Sequence, residues 1–172
     1  MNFPENSGPV WTREGDGFQN QTGRPGGRAS GPRLAQGALV CVGLFRDGEP
    51  GPALFRWGLV PGWAADARKA PINARAETAA ARPTFAEALR RCRCLVPATG
   101  FYEWKQLPGG RKRPWHFRLT RGGLFAFAGL WEAWRPPSGG PPLLTCALLT
   151  AAANDVVKPV HGRMPLILPP ES

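Results

Sequence analysis

Residues Pro83 to Gln106 read PTFAEALRRCRCLVPATGFYEWKQ, and their reading decides the fold class. Pro83 to Arg91 spells the clearest short helix of the chain. Proline fits the first helical turn, where its missing N–H costs nothing, Phe85 and Leu89 stand i to i+4, and Arg90 and Arg91 place positive charge at the end where helix carbonyls accumulate. Two short strand-like runs follow directly, Cys94 to Pro97 and Phe101 to Gln106. A short helix feeding short strands is the signature of a mixed domain in which strands dominate.

The same pattern extends outward in both directions. Upstream, Ala38 to Phe45 and Ala53 to Leu59 flank RDGEPGP, whose Asp-Gly and Pro-Gly pairs suit a turn, so the two runs read as a hairpin. Downstream come strands at Trp115 to Thr120, Leu124 to Trp134 and Leu143 to Thr150, separated by Pro-Gly-Gly and Gly-Gly loops. A short helical piece around Ala153 to Val157 leads to a last strand, Met164 to Leu168. The fold class is α+β: a curved or barrel-like, mainly antiparallel sheet with a few short helices. Residues 1 to 33 differ, with 7 Gly, 4 Pro and Val10 as their sole branched aliphatic residue, and read as an irregular or disordered arm.

A chain of 172 residues fits one ordinary domain, and 42% hydrophobic residues can furnish its core. No apolar run approaches the roughly 18 residues of a membrane-spanning helix, and the start lacks the apolar stretch of a secretory signal, so no membrane partner is expected. The bacterial cytoplasm is the expected location, with Cys41, Cys92, Cys94 and Cys146 as free thiols. One Cys-x-Cys and two histidines fall short of a four-ligand zinc set.

The net charge of +10 is confined to one stretch. Arg56 to Arg121 holds 14 basic residues against 4 acidic, whereas the remainder holds 8 of each. A polyanion is expected to dock there, a solvated basic surface being the plainer alternative. Trp57, Trp63, Trp104, Trp115 and Trp131 lie in or near that stretch. Aromatic faces among arginines suit unstacked bases, which favours single-stranded nucleic acid over duplex, although Trp57 and Trp131 sit in apolar strands and suit the core.

Asn73 in PINARAE, Glu103 in GFYEW and His161 in PVHGRMP stand out as polar residues in apolar surroundings. A carboxylate beside Tyr102 and Trp104 is expected to hold its proton to a higher pH and to serve as a general acid or base. Taken singly, a strand glutamate usually faces water and a lone histidine is usually just hydrogen-bonded.

Read in order, FRWGLVPGWA, PINARAET, RRCRCLVPATGFYEWK, FAFAGLWEAW, LLTAAAND and VHGRMPLIL resemble the SRAP family, the SOS response-associated peptidases or abasic-site processing proteins. The resemblance runs from about residue 34 to the C-terminus. It implies a β-rich fold with a basic groove that binds single-stranded DNA and bonds covalently to abasic sites, together with self-processing peptidase and lyase activity. It implies neither a cofactor nor an obligate protein partner. By motif, Asn73 would orient the reacting end, Glu103 would move protons during Schiff-base and ring chemistry, and His161 would assist proton transfer and reversal. Trp63, Arg75, Arg82, Trp104, Thr150 and Arg163 would hold the DNA.

The family's reaction uses a cysteine directly after the initiator methionine. An α-amine with a pKa near roughly 7.7 to 8.0 condenses with the aldehyde of an opened abasic sugar, and a thiol on the same residue then closes a thiazolidine ring. This sequence starts Met1, Asn2, and its other cysteines have their amines in peptide bonds. Gly162 follows His161 where the family commonly carries an acidic residue, and Ser172 ends the chain where members continue. The domain from 34 to 172 is accordingly expected to be incomplete at both ends. The alternatives are a catalytically inactive single-stranded DNA-binding remnant and, more remotely, a basic β-domain for RNA or anionic surfaces.

Overall fold

Helix α2 occupies Pro83–Arg91, the span that the sequence pattern predicts. Arg82 caps it in extended conformation, Phe85 and Ala88 turn inward, and Glu87 pairs with Arg90 and Arg91 one turn on. The computed structural model describes residues 11–14, 38–44 and 50–168. The expected hairpin is present as β2 (Ala38–Leu44) and β3 (Pro50–Trp57), antiparallel from Ala38 opposite Arg56 to Leu44 opposite Pro50. Strand β3 stops short of Leu59 because Gly58 adopts φ 121°, a conformation that breaks the ladder and that side-chain-bearing residues avoid.

Strands β5 (Arg93–Ala98), β6 (Gly100–Gln106), β7 (Lys112–Leu119), β8 (Phe125–Trp134) and β9 (Leu143–Ala152) follow the expected order. Strand β9 pairs with β8 and, in parallel, with β3; β3 pairs with β2, β2 with β5, and β5 with β8. The pairings therefore return to their starting point and the sheet curls into a barrel. Beyond this ring, β9 is flanked by the parallel β4 (Asn73–Arg75) and the antiparallel β10 (Arg163–Pro165), while β11 (Ile167–Leu168) extends β8. A second sheet consists of β6, β7 and β1 (Trp11–Glu14).

Alternation along the strands separates two apolar layers. Phe55, Val96, Phe127, Cys146 and Leu148 point inward, joined by Phe101 and Phe117 from the second sheet. Those two rings stack at 5.1 Å, and Phe101 meets Phe127 edge-on at 6.0 Å, so the small sheet is packed onto the barrel's core. The outer layer is made of smaller residues, Ala74, Ala79, Ala88, Ala128 and Ala147 with Leu130 and Leu149, and it packs under α2 and the short α1 (Ala76–Ala79). Gly129 marks how tightly the interior is filled: a Cβ there would lie 2.8 Å from Cys94 Sγ. Trp57 and Trp131 are partly buried against the core, as their strand context suggests.

Three readings are corrected. The segment around Ala153 to Val157 is a run of turns rather than a helix. The Asn154 side chain accepts the N–H groups of Val156 and Val157, and Pro159 has no N–H to carry a helical ladder onward. The last strand divides into β10 and β11, because Leu166 crosses the fork between β9 and β8, donating to Leu149 and accepting from Ala128. Trp11–Glu14, within the stretch read as irregular, forms β1 along β7. Four residues show no period by themselves; the pairing comes from the edge of β7 that β6 leaves open. The remainder of residues 1–33 lies outside the described residues. No helix among the described residues is long and apolar enough to cross a membrane.

Candidate functional site

The alternation of β6 sorts its side chains before any partner is considered. Phe101 and Glu103 lie toward the barrel, whereas Tyr102 and Trp104, 48% and 51% exposed, lie on the opposite face. Tyr102 stacks there on His116 at 4.6 Å. The carboxyl of Glu103 is held above its ordinary value. Burial is the main cause, opposed by the charge of His161 and by a hydrogen bond with the Trp104 backbone.

Glu103 meets His161 across a separation of 58 residues in sequence, with Oε2 3.4 Å from Nδ1. The glutamate side chain is 19% exposed and the histidine 46%, so one partner is sheltered and the other reaches solvent. His161 ends the run of turns, and its Nδ1 also lies 2.9 Å from the carbonyl oxygen of Arg163 and 3.3 Å from the Arg163 N–H. Gly162 is exposed between them, and a Cβ added there would meet nothing within 4 Å.

Arg163 continues the chain of contacts. Its Nη1 and Nη2 donate to the two carboxylate oxygens of Glu77 at 2.7 and 2.9 Å, and Nη2 also donates to the carbonyl and hydroxyl oxygens of Thr150 at 2.6 and 3.2 Å. The hydrogen bond from Arg163 is the largest of the effects that hold the Glu77 carboxyl down to about 2, aided by a backbone N–H and the charge of Arg75. Sequence reading passed over Glu77. Its signal was present, since it is one of 4 acidic residues in the basic stretch and lies inside PINARAET.

Asn73 and Arg75 flank the buried Ala74 in β4 and are both exposed. Register sets Asn73 opposite Leu148 and Arg75 opposite Thr150, whose other neighbour is Pro165 of β10. Thr150 therefore sits between the strand that carries Arg75 and the strand that carries Arg163. The structure thus gathers Asn73, Arg75, Thr150, His161 and Arg163 at one end of β9, with Glu103 leaning in from the second sheet. Trp63, 69% exposed on the loop after β3, and Arg82, at the cap of α2, stand outside this chain of hydrogen bonds. Trp104 is close in sequence but on the other face of β6. Among the described residues, no three His, Cys, Asp or Glu side chains gather as a metal site.

This arrangement joins four of the six segments whose motifs pointed to one family, and the model of that family, SOS response associated peptidase (SRAP), matches residues 32–172. The chain belongs to the SRAP family. Its relatives include the abasic site processing protein YoqW of Bacillus subtilis, 46% identical over 120 residues, which cover 69% of this chain and 53% of that protein. The abasic site processing protein HMCES of Gallus gallus is 30% identical over 187 residues, covering 93% of this chain and 54% of that one. Crystal structures of proteins from Bacteroides thetaiotaomicron and Bordetella bronchiseptica share the fold, each with a TM-score of 0.66, at 30% and 29% identity. They cover 76% and 77% of this SRAP chain, and 59% and 68% of their own. The chain thus spans about half the length of the curated SRAP relatives it matches. Strand β1 lies outside residues 32–172, which the family model matches.

Proposed function

We propose that this SRAP chain binds single-stranded DNA along its basic stretch and processes abasic sites by covalent bonding, with Glu103 and His161 as the proton-transfer pair. The observation that carries this reading is their contact at 3.4 Å, with the carboxyl of Glu103 raised by burial. The ring-opened abasic sugar presents an aldehyde at C1′. An unprotonated α-amine of the protein adds to it to give a carbinolamine, and loss of water then gives the imine. That loss needs a proton delivered to the departing hydroxyl and another removed from nitrogen. A carboxyl whose pKa is raised by burial is a better fit than an ordinary one to deliver the first, and an imidazole 3.4 Å away can take up a proton and return it. A thiol on the amine-bearing residue would add to the imine carbon, its proton passing to nitrogen, and close a ring; Met1 carries no thiol, so with this polypeptide the product is the imine, which hydrolysis reverses.

Around this centre, Asn73 orients the sugar, and Arg75, with Trp63, Trp104 and Arg82 farther out, contacts phosphates and bases. Self-processing of peptidase type and lyase activity through the imine belong to the same proposal. Incubation of this polypeptide with a single strand carrying an abasic site tests it. With borohydride present to reduce the imine, an adduct on a denaturing gel is expected. Retained binding to undamaged strands with no adduct would leave only a DNA-binding module.

A further inference from the structure

The proton-transfer role of His161 depends on which ring nitrogen carries hydrogen. Three groups face Nδ1: the Arg163 carbonyl at 2.9 Å, the Arg163 N–H at 3.3 Å and Glu103 Oε2 at 3.4 Å. The nearest is an acceptor, and two of the three are acceptors. An Nδ1–H ring would satisfy the two acceptors, including the nearest, whereas an Nδ1 lone pair would satisfy only the Arg163 N–H, so the contacts favour the proton on Nδ1 and the lone pair on Nε2.

This outcome rests on where the Arg163 backbone lies. Strand β10 has three residues, pairs with the end of β9 and is seated by the buried Met164, while Pro165 has no N–H to donate. At its first residue the side-chain tie is the Arg163 guanidinium, bonded to both carboxylate oxygens of Glu77 in α1 and to Thr150 in β9. Both Nη atoms of Arg163 are thus engaged by internal acceptors. The Glu77 carboxyl, at about 2, keeps its charge throughout the range in which a histidine titrates, so the tie persists whatever the charge of His161.

We propose that Glu77 is a positioning residue of this site: its two-point grip on Arg163 holds the backbone that fixes His161 as the Nδ1–H tautomer and presents Nε2 as the atom that exchanges protons with the DNA. The inference rests on the proton-transfer reading of His161. It also gives Arg163 an internal task, with exposed Arg75 left as the phosphate contact at this end of β9.

The chain has two histidines, so the test is direct. Long-range proton–nitrogen NMR spectra of protein labelled at histidine nitrogen are recorded at a pH where both rings are neutral, with His161→Gln to assign the signals. Wild type is expected to show His161 with a protonated Nδ1 and a bare Nε2. In Glu77→Gln the ratio of Nδ1–H to Nε2–H is expected to fall about threefold or more, because the hydrogen bond that selects the tautomer is no longer held in place. A wild-type ratio in folded Glu77→Gln overturns the proposal. Should that variant not fold, Arg163→Lys, which keeps the charge but not the two-point contact, carries the same two outcomes. No DNA enters the measurement. A missing adduct would remove the proposed function and leave this result standing, whereas an unchanged tautomer would remove the positioning role and leave adduct formation standing.

Discussion

Strand β9 runs through two regions of unlike chemistry. Its first half pairs with β3 and β8 and buries Thr145, Cys146, Ala147 and Leu148 in or against the barrel wall. Its second half pairs with β4 and β10, where Thr150 is only partly buried and its neighbours carry Arg75 and Arg163. One half holds the fold by apolar burial; the other is a rim on which charged groups from α1, β4, β6 and β10 converge. The lesson is a division of labour along a single strand. Closure of the barrel makes the rim rigid enough to set side chains against one another, and the strands beyond the ring are short enough to leave them reachable.

The division predicts effects of different kinds. The largest belongs to the apolar core: Phe117→Ala, which truncates a side chain with 0% exposure, is expected to cost about 3–5 kcal/mol in denaturant unfolding. A much smaller loss would mean that the second sheet is not part of the core. At the rim, Glu103→Gln is expected to slow adduct formation about 100-fold, as loss of a general acid does, with little change in unfolding midpoint. A large stability loss there, or an unaltered rate, would break the contrast between the two regions. Next, Arg75→Ala is expected to weaken single-strand binding about threefold to tenfold at low salt, and less as salt rises, measured by fluorescence anisotropy. Equal loss from Glu103→Gln would contradict the separate roles.

The smallest effect lies in the titration of the two rim glutamates, followed by carboxyl-carbon NMR. Glu103 should lose its proton above the ordinary 4.5 and Glu77 near 2. The depressed Glu77 favours the folded state above the ordinary value, and that contribution fades as pH falls through about 2. The raised Glu103 acts with opposite sign: the folded state loses favour as pH rises from the ordinary value through the raised one. The reverse order of titration would show that neither the shelter of Glu103 nor the grip on Glu77 exists in solution.

Much of this was legible in the sequence. The span of α2, the β2–β3 hairpin and the order of strands β5 to β9 follow from alternation, turn residues and capping, all of which act between near neighbours. Asn73, Glu103 and His161 stood out as polar residues in apolar strings, and their motifs grouped them. Three features were hidden. The turns after Ala152 depend on which groups the Asn154 side chain satisfies, β1 depends on a free edge supplied by β7, and Glu77 reads as an ordinary acidic residue until Arg163, 86 positions away, is placed beside it.

What the sequence determined by itself was therefore α2, the β2–β3 hairpin, the order of β5 to β9, the basic stretch and the candidate site residues, since each is written in local composition and period. The tertiary structure decided which face of β6 Glu103 occupies relative to Trp104, the closure of β9 onto β3 and β8, and the linkage of Glu103, His161, Arg163, Thr150 and Glu77. These rest on parallel pairings and on contacts between distant segments, which form only when burial of the aromatic core brings the strands together.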